Sequence, residues 1–284
     1  MLAAVAMSGL MSACVFDPRG MSGPPGGAID GAPTDDGPAG IDVAAVDAAP
    51  AVDAAACSEI CPPEASCVGE VCVFDCSTRG SCIDVECGAG VPCRVVCGQN
   101  TCRDIDCSQA SACDIQCASV ESCSGTITCG GDRCDVTCGQ QACDGDITCT
   151  ATDHCGIVCT SVESCSSTVT CTAATCEVAC GQQSCDGDIT CEATDLCDID
   201  CTGVESCSNK TSCTGSGRCE VDCGQNACDG VIDCAGACAC DANCTGVGSC
   251  GNGSNCPLGC QDGNGCTPTG VGCDLCLLST SLPQ

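Results

Sequence analysis

Cysteine recurs along this chain at an interval that hardly varies, and this spacing limits the fold more than any other feature. From Cys76 onward, segments of 20 to 22 residues begin at Cys76, Cys97, Cys117, Cys138, Cys159, Cys180, Cys201, Cys223 and Cys244. Each segment carries four cysteines at variable internal gaps, and Cys240 is one extra. A constant length with variable gaps predicts stacked coils, one per segment, with loops at the corners.

Two short strands are predicted in each segment. One has the pattern Cys-x-Ile/Val-x-Cys, as in CDVTC at 134–138, and the other ends in Ile/Val-x-Cys, as in ITC at 147–149. Alternate residues of a strand share a face, so both cysteines and the branched residue point the same way. The sequence therefore predicts an all-β fold, a disulfide-rich parallel β-solenoid of about nine turns of roughly 21 residues.

The composition indicates an oxidising compartment. There are 45 Cys among 284 residues, whereas Trp and Tyr are absent, so cross-links must replace much of a conventional core. The spacing leaves the connectivity open. Structural disulfides are expected at Cys117, Cys123, Cys129, Cys134, Cys138, Cys143, Cys149, Cys155, Cys159, Cys165, Cys171, Cys176, Cys180, Cys185, Cys191 and Cys197.

A second period spans 42 residues, because CGQQACDGDITC at 138–149 returns as CGQQSCDGDITC at 180–191. Two residues before the second cysteine of each segment, carboxylates and amides alternate. This stacked amide/carboxylate ladder comprises Asn100, Glu121, Gln141, Glu163, Gln183, Glu205 and Asn226. In stacked turns, identical carboxylates would lie about 4.8 Å apart and repel, whereas alternation lets each amide donate to the carboxylates above and below. Inherited duplication of a two-turn unit is a compatible explanation.

The segments outside the repeat differ in composition. Residues 1–13 form an apolar run typical of a signal peptide, and residues 14–56 form an Ala/Asp/Gly/Pro-rich linker that is expected to be disordered. Residues 57–75 are expected to form a Cys-rich N-terminal cap, 76–264 the solenoid, and 265–284 a C-terminal cap and tail.

The stretch Leu10-Met11-Ser12-Ala13-Cys14 resembles the lipobox of bacterial lipoproteins. The resemblance implies cleavage before Cys14 and attachment of a lipid to its thiol. It also implies a protein held at a bacterial outer membrane or cell surface, with the membrane as a partner through the anchor. Removing Cys14 from the 45 cysteines leaves 44, an even number that can pair completely.

Charge and composition exclude some functions. A net charge of −31 with only seven basic residues opposes DNA and RNA, so no nucleic-acid partner is expected. His154 is the only histidine, and its counterpart one 42-residue repeat later is Leu196, so His154 is expected to be a surface residue. We predict no catalytic residue, no enzymatic activity and no cofactor.

Two alternatives concern ligands. The first is a weak calcium site, because Asp144, Asp146, Asp186 and Asp188 form carboxylate pairs beside glycine. The second comes from TCT at 148–150 and 170–172, which resembles the insect cysteine-rich antifreeze solenoids. That family uses uninterrupted ranks of Thr, and the Asp residues on alternate turns are expected to break such ranks here.

The combined expectation is a non-catalytic, lipid-anchored protein of the cell envelope. It would serve as a structural, adhesive or recognition scaffold whose ligand the sequence does not identify. The alternative is a low-affinity divalent-cation, specifically calcium, binding protein of the cell surface.

Overall fold

The computed structural model describes residues 60–78, 82–237, 239–244, 246–252 and 254–255. The predicted signal peptide, linker, Cys14 and C-terminal cap at 265–284 lie outside these residues. The chain divides into two units, 1–48 and 49–284, and only the second contains described residues. Within the described ranges, none of the helical structure has the length and apolarity needed to span a bilayer.

The described chain is built from β-strands. They are β1 (Ser66–Val68), β2 (Val71–Cys76), β3 (Asp84–Glu86), β4 (Pro92–Cys97), β5 (Asp104–Cys107), β6 (Ala112–Cys117), β7 (Ile127–Cys138), β8 (Ile147–Cys159), β9 (Val169–Cys180), β10 (Ile189–Cys201), β11 (Thr211–Thr214), β12 (Arg218–Cys223), β13 (Ile232–Gly236), β14 (Ala239–Cys244) and β15 (Ser254–Asn255).

Successive turns stack in parallel and nearly in register. In the strand register Cys134 lies opposite Cys155, and Cys155 lies opposite Cys176. Equivalent residues of neighbouring segments are therefore adjacent in the sheet. The described segments that begin at Cys76 and end before Cys244 make eight turns, and a ninth begins at Cys244. This arrangement confirms the predicted all-β, disulfide-rich parallel β-solenoid.

The core consists of two columns of branched residues flanked by cystine. Ile115, Val136, Ile157 and Val178 succeed one another in register, and all are at most 1% exposed. The second column runs through Ile105, Ile127, Ile147, Val169 and Ile189 to Thr211 and Ile232. Because a chain with two Phe residues lacks large apolar side chains, this narrow interior is filled by Ile, Val and sulfur.

Each solenoid disulfide closes its own turn. At one corner the first and second cysteines pair across five or six residues, as in Cys138–Cys143 and Cys159–Cys165. The third and fourth cysteines pair likewise, as in Cys129–Cys134 and Cys149–Cys155. The remaining cysteines expected to be structural follow the same two patterns, in Cys117–Cys123, Cys171–Cys176, Cys180–Cys185 and Cys191–Cys197.

Cys240 belongs to the framework, so the expectation that it is extra was wrong. It pairs with Cys234 and lies in register with Cys219, the fourth cysteine of the preceding turn. The sequence Cys238-Ala-Cys240 contains two cysteines near the fourth position, and only the strand register distinguishes them.

A hairpin covers part of the first turn. Strand β1 pairs antiparallel with β2, and a disulfide joins Cys61 to Cys72. Capping matters because the first parallel strand of a solenoid otherwise presents unpaired backbone groups.

Thr211 interrupts an apolar column, and its replacement should stabilise the fold. Its side chain is 1% exposed, and its Oγ1 has no hydrogen-bond partner among the described residues. Because a buried hydroxyl without a partner opposes folding, Thr211→Val should raise the free energy of unfolding by about 1–2 kcal/mol. Chemical denaturation measures this change.

Thr190→Val provides the matched control, because Thr190 lies on the outward face of β10 and is half-buried. This variant should stay within about 0.5 kcal/mol of the parent. A loss of stability in Thr211→Val would mean that the hydroxyl has a partner that the structure does not place.

Candidate functional site

The amide/carboxylate ladder lies along one corner of the solenoid, where the chain turns sharply in every coil. Each ladder residue has a positive φ, from 51° at Asn226 to 58° at Glu205. From Cys102 onward the second cysteine of each described turn also has a positive φ, such as 59° at Cys143. Two left-handed residues per corner produce a tight bend, and the corner disulfide holds the bend on its inner side.

Backbone hydrogen bonds align the ladder residues of neighbouring turns. The N–H of Gln141 donates to the carbonyl of Val162, 3.1 Å away, and the N–H of Gln183 donates to that of Val204 at 2.9 Å. Glu163 donates in the same way to Gln182. Each acceptor immediately precedes the ladder residue of the next turn, so the predicted stack of Glu and Gln is present in the structure.

The ladder side chains bond on one side only. Nε2 of Gln141 donates to Oε2 of Glu163 at 2.7 Å, and Nε2 of Gln183 donates to Oε2 of Glu205 at 2.9 Å. Among the described residues, no second bond links Gln183 to Glu163. The expectation that each amide serves both neighbouring carboxylates was therefore wrong, and between Gln141 and Glu205 the ladder consists of two-turn pairs.

Buried hydroxyls beneath the ladder were missed in the sequence analysis. Ser122, Ser164, Ser184 and Ser206 follow ladder residues directly and are fully buried. Oγ of Ser164 donates at 2.9 Å to the carbonyl of Cys159 and at 2.8 Å to that of Ser161. The available signal was a small residue before every second cysteine, which includes Ala142 in the intervening turn.

The four Asp residues considered for calcium bind the next turn instead. Oδ1 of Asp144 accepts from Oγ of Ser166 at 3.1 Å, and Oδ1 of Asp186 accepts from Oγ of Ser208 at 3.0 Å. Oδ1 of Asp146 accepts from the N–H of Thr168, and the side-chain hydrogen bond of Ser167 is the main cause that lowers the pKa of Asp146.

Asp188 behaves like Asp146, because its Oδ1 accepts from the N–H of Lys210 at 3.2 Å. The glycine between the paired Asp residues is needed for close approach, since a Cβ on Gly145 would collide with the carbonyl of Gly125. Calcium takes six to eight oxygens, and here one oxygen of each carboxylate already accepts a bond. These contacts favour a structural role for the Asp residues.

Sulfur clusters also occur, but their sulfurs already belong to disulfides. Sγ atoms of Cys97, Cys117 and Cys123 lie within 4.8 Å of one another. Cys97 pairs with Cys102 and Cys117 with Cys123, so none of the three offers a thiolate in the oxidised protein. A soft metal would need prior reduction of these bridges.

The hydroxyl rank on the outward face is continuous in part. Thr128, Thr148, Thr170, Thr190 and Ser212 stand in register over five turns. The expectation that Asp breaks this rank was wrong, because Asp146 and Asp188 precede the strands. A second rank, across the next cysteine, is Gly130, Thr150, Thr172, Glu192 and Thr214, so the continuous face is one residue wide.

His154 is packed more closely than expected for a surface residue. Its side chain is 14% exposed, and its Nε2 lies 3.5 Å from Oδ1 of Asp135. Gly156 makes room for this contact, because a Cβ there would come within 2.9 Å of both groups. In register, His154 stands between Arg133 and Thr175, so the position accepts unrelated side chains.

Acidic residues also stack without alternation. Glu177, Asp198, Glu220 and Asp241 are successive partners in the sheet register. Desolvation by burial, followed by repulsion from Glu220 and Glu177, raises the pKa of Asp198. Arg218 offsets part of this charge through contacts of 2.9 Å with Glu220 and 3.4 Å with Asp241. Stacking alone therefore does not demand the alternation seen at the corner.

Comparison with known proteins found no matching family model, no matching curated protein and no matching solved structure.

Replacing a ladder amide by a carboxylate tests the corner pairs. Gln141→Glu would place a second negative charge against Glu163 and remove the donated hydrogen bond. We expect the free energy of unfolding to fall by about 0.5–1 kcal/mol, with a larger loss at low salt. Denaturant titrations at two salt concentrations measure the effect.

Gln140→Glu is the matched control, since it adds the same charge one residue earlier on an exposed side chain. Its effect should be smaller at both salt concentrations. Equal effects of the two variants would mean that net charge, rather than the Gln141–Glu163 pair, determines the result.

Asp198 should make the stability depend on pH. A raised pKa in the folded state means that its stabilising contribution is complete below the ordinary value of 3.8 and is lost as pH rises through the folded pKa. Asp198→Asn removes that loss, so the variant should melt at a higher temperature than the parent at pH 7.

At pH 3 the two proteins should melt alike, because the carboxyl of Asp198 is then protonated in both folded and unfolded chains. Asp195→Asn, an exposed position three residues away, controls for the change in net charge. An equal rise in melting temperature for both variants at pH 7 would contradict a specific effect of the column.

Proposed function

We propose that this protein is a non-catalytic surface lipoprotein of a bacterial cell envelope, acting as a rigid structural, adhesive or recognition scaffold. The observation that carries the proposal is the order of segments along the chain. A lipobox-like sequence ending at Cys14 and an Ala/Asp/Gly/Pro-rich stretch precede a solenoid whose turns are each closed by disulfides.

The proposed anchor and linker have complementary roles. A diacylglycerol on Cys14 would hold the chain at the membrane, although the net charge of −31 opposes direct contact with anionic lipids. A flexible coil of about forty residues would span roughly 35 Å on average. Such a linker separates an acidic domain from the surface to which it is attached.

The proposed scaffold role follows from how the solenoid presents its surface. Eight turns at about 4.8 Å each form a rod roughly 40 Å long. Polar residues recur along its outward surface, every turn in the rank from Thr128 to Ser212 and with a two-turn alternation at the corner from Asn100 to Asn226. Repetitive polar surfaces of this kind suit spacing and multivalent adhesion.

Mass spectrometry of the full chain, purified from the membrane fraction of a bacterial host that processes lipoproteins, tests the proposal. We expect an N-terminus at Cys14 that carries a diacylglycerol, and no free thiol among the other cysteines. Cys14→Ala should move the protein out of the membrane fraction. Its solenoid should remain intact, as shown by an unchanged melting temperature.

A parent protein that is unmodified at Cys14, or a Cys14→Ala variant that stays in the membrane fraction, would contradict the lipid anchor. The scaffold role is tested separately by whether particles coated with the solenoid adhere to surfaces or cells.

A further inference from the structure

One strand of the first turn has an edge that no other described strand covers. The first turn contributes two strands to the parallel stacks, β2 and β3. Strand β1 pairs along the outer edge of β2, whereas β3 pairs only with β5 among the described strands. Among the residues that the structure describes, the N-terminal end of the solenoid is therefore covered by the hairpin on one side and open along Asp84–Glu86 on the other.

The backbone hydrogen bonds of β3 show which groups face the open edge. The N–H of Cys87 donates to the carbonyl of Asp106, and the carbonyl of Ile83 accepts from the N–H of Arg103, so both point into the solenoid. Alternate residues of a parallel strand direct their N–H and C=O groups to opposite edges of the strand. The N–H and C=O groups of Asp84 and Glu86 therefore point toward the open edge, away from β5. One added strand could bind a donor and an acceptor there.

A cavity of about 690 Å³ lies beside this edge, within the usual size of roughly 300–1,000 Å³ for ligand pockets. Its apolar lining includes Phe74, Ile83 and Val85, and its acidic lining includes Glu64 and Glu86. None of the lining residues is basic. Ile83 is 62% exposed.

Within the solenoid, an arginine already neutralises one carboxylate of β3 and one of β5. Asp84 stacks on Asp104 in the register of the two strands. Arg103 bridges these carboxylates, at 2.9 Å from Oδ1 of Asp84 and 2.9 Å from Oδ2 of Asp104. Glu86 has no ion pair among the described residues. A strand added above β3 would meet the same carboxylates from the open side.

We propose that the edge of β3 binds an extended basic peptide from a partner protein by strand addition, in parallel with β3. The peptide carries Lys or Arg at the residues above Asp84 and Glu86, and Ile or Val at the residue between them. The strand pattern specifies this order, since Asp84 and Glu86 are exposed and Val85 is buried. This site is separate from the lipid anchor and does not depend on it.

Backbone alternation also assigns the hydrogen bonds. The central Ile of the peptide donates its N–H to the carbonyl of Asp84 and accepts from the N–H of Glu86. Its side chain covers Val85 and enters the cavity, while the two Lys side chains lie on the outside beside Glu86 and Asp84. Charge sets the preference for a basic segment, and the backbone bonds set its register.

Fluorescence anisotropy with the full chain tests the proposal at physiological salt. The probe is a labelled, end-capped peptide of sequence Ser-Lys-Ile-Lys-Ser. We expect saturable binding, and amide hydrogen exchange should show new protection within residues 82–88. N-methylation of the Ile nitrogen should weaken binding about tenfold, because it removes the donor to Asp84.

N-methylation of the second Lys nitrogen is the matched control, since that N–H points away from β3 and the charge is unchanged. On the protein, Glu86→Pro removes the N–H that the peptide needs, and proline is tolerated on an open edge. It should weaken binding about tenfold without lowering the melting temperature. Glu86→Gln keeps the N–H and should lose less affinity.

Equal affinity for both N-methylated peptides would show that an acidic surface attracts any cation, and it would overturn the proposal. Absence of binding to the full chain would overturn it as well.

Discussion

Non-covalent stacking between turns is the interaction that holds the coils of this fold together. The solenoid bridges join residues of the same coil, such as Cys149 to Cys155, and therefore restrain each coil separately. Coil is joined to coil by the parallel backbone ladder and by columns of Ile and Val. Disulfides lower the conformational entropy of each unfolded coil, and the ladder adds cooperativity along the rod.

The same stacking places every outward residue above its counterpart, so surface charge must be arranged turn by turn. At the corner, Gln141 neutralises the contact with Glu163 through a hydrogen bond. In another row of the sheet there is no alternation: Glu177 and Asp198 stack directly, and burial raises the pKa of Asp198. The protein thus contains both solutions, in which repulsion is avoided at one row and tolerated at another.

The sequence predicted the architecture better than the site. Segment length and the Cys-x-Ile/Val-x-Cys pattern suffice to predict the stacked strands. The alternation of inward and outward residues identifies each strand, and the constant segment length indicates that successive coils stack. The pattern could not assign Cys240 or the bridges, since two cysteines of one strand share a face but bond to opposite corners. In the part of the chain that the structure describes, Gln183 bonds to Glu205 and not to Glu163, and this choice depends on corner geometry that composition does not encode.

Closure of every coil by its own bridges has an evolutionary consequence. The stretches at 138–149 and 180–191 are nearly identical and lie two coils apart. Unequal recombination between such stretches would insert or delete a pair of coils without changing which cysteines form disulfides with each other. Rod length in a lineage of this kind can therefore change in discrete steps without any oxidative refolding problem.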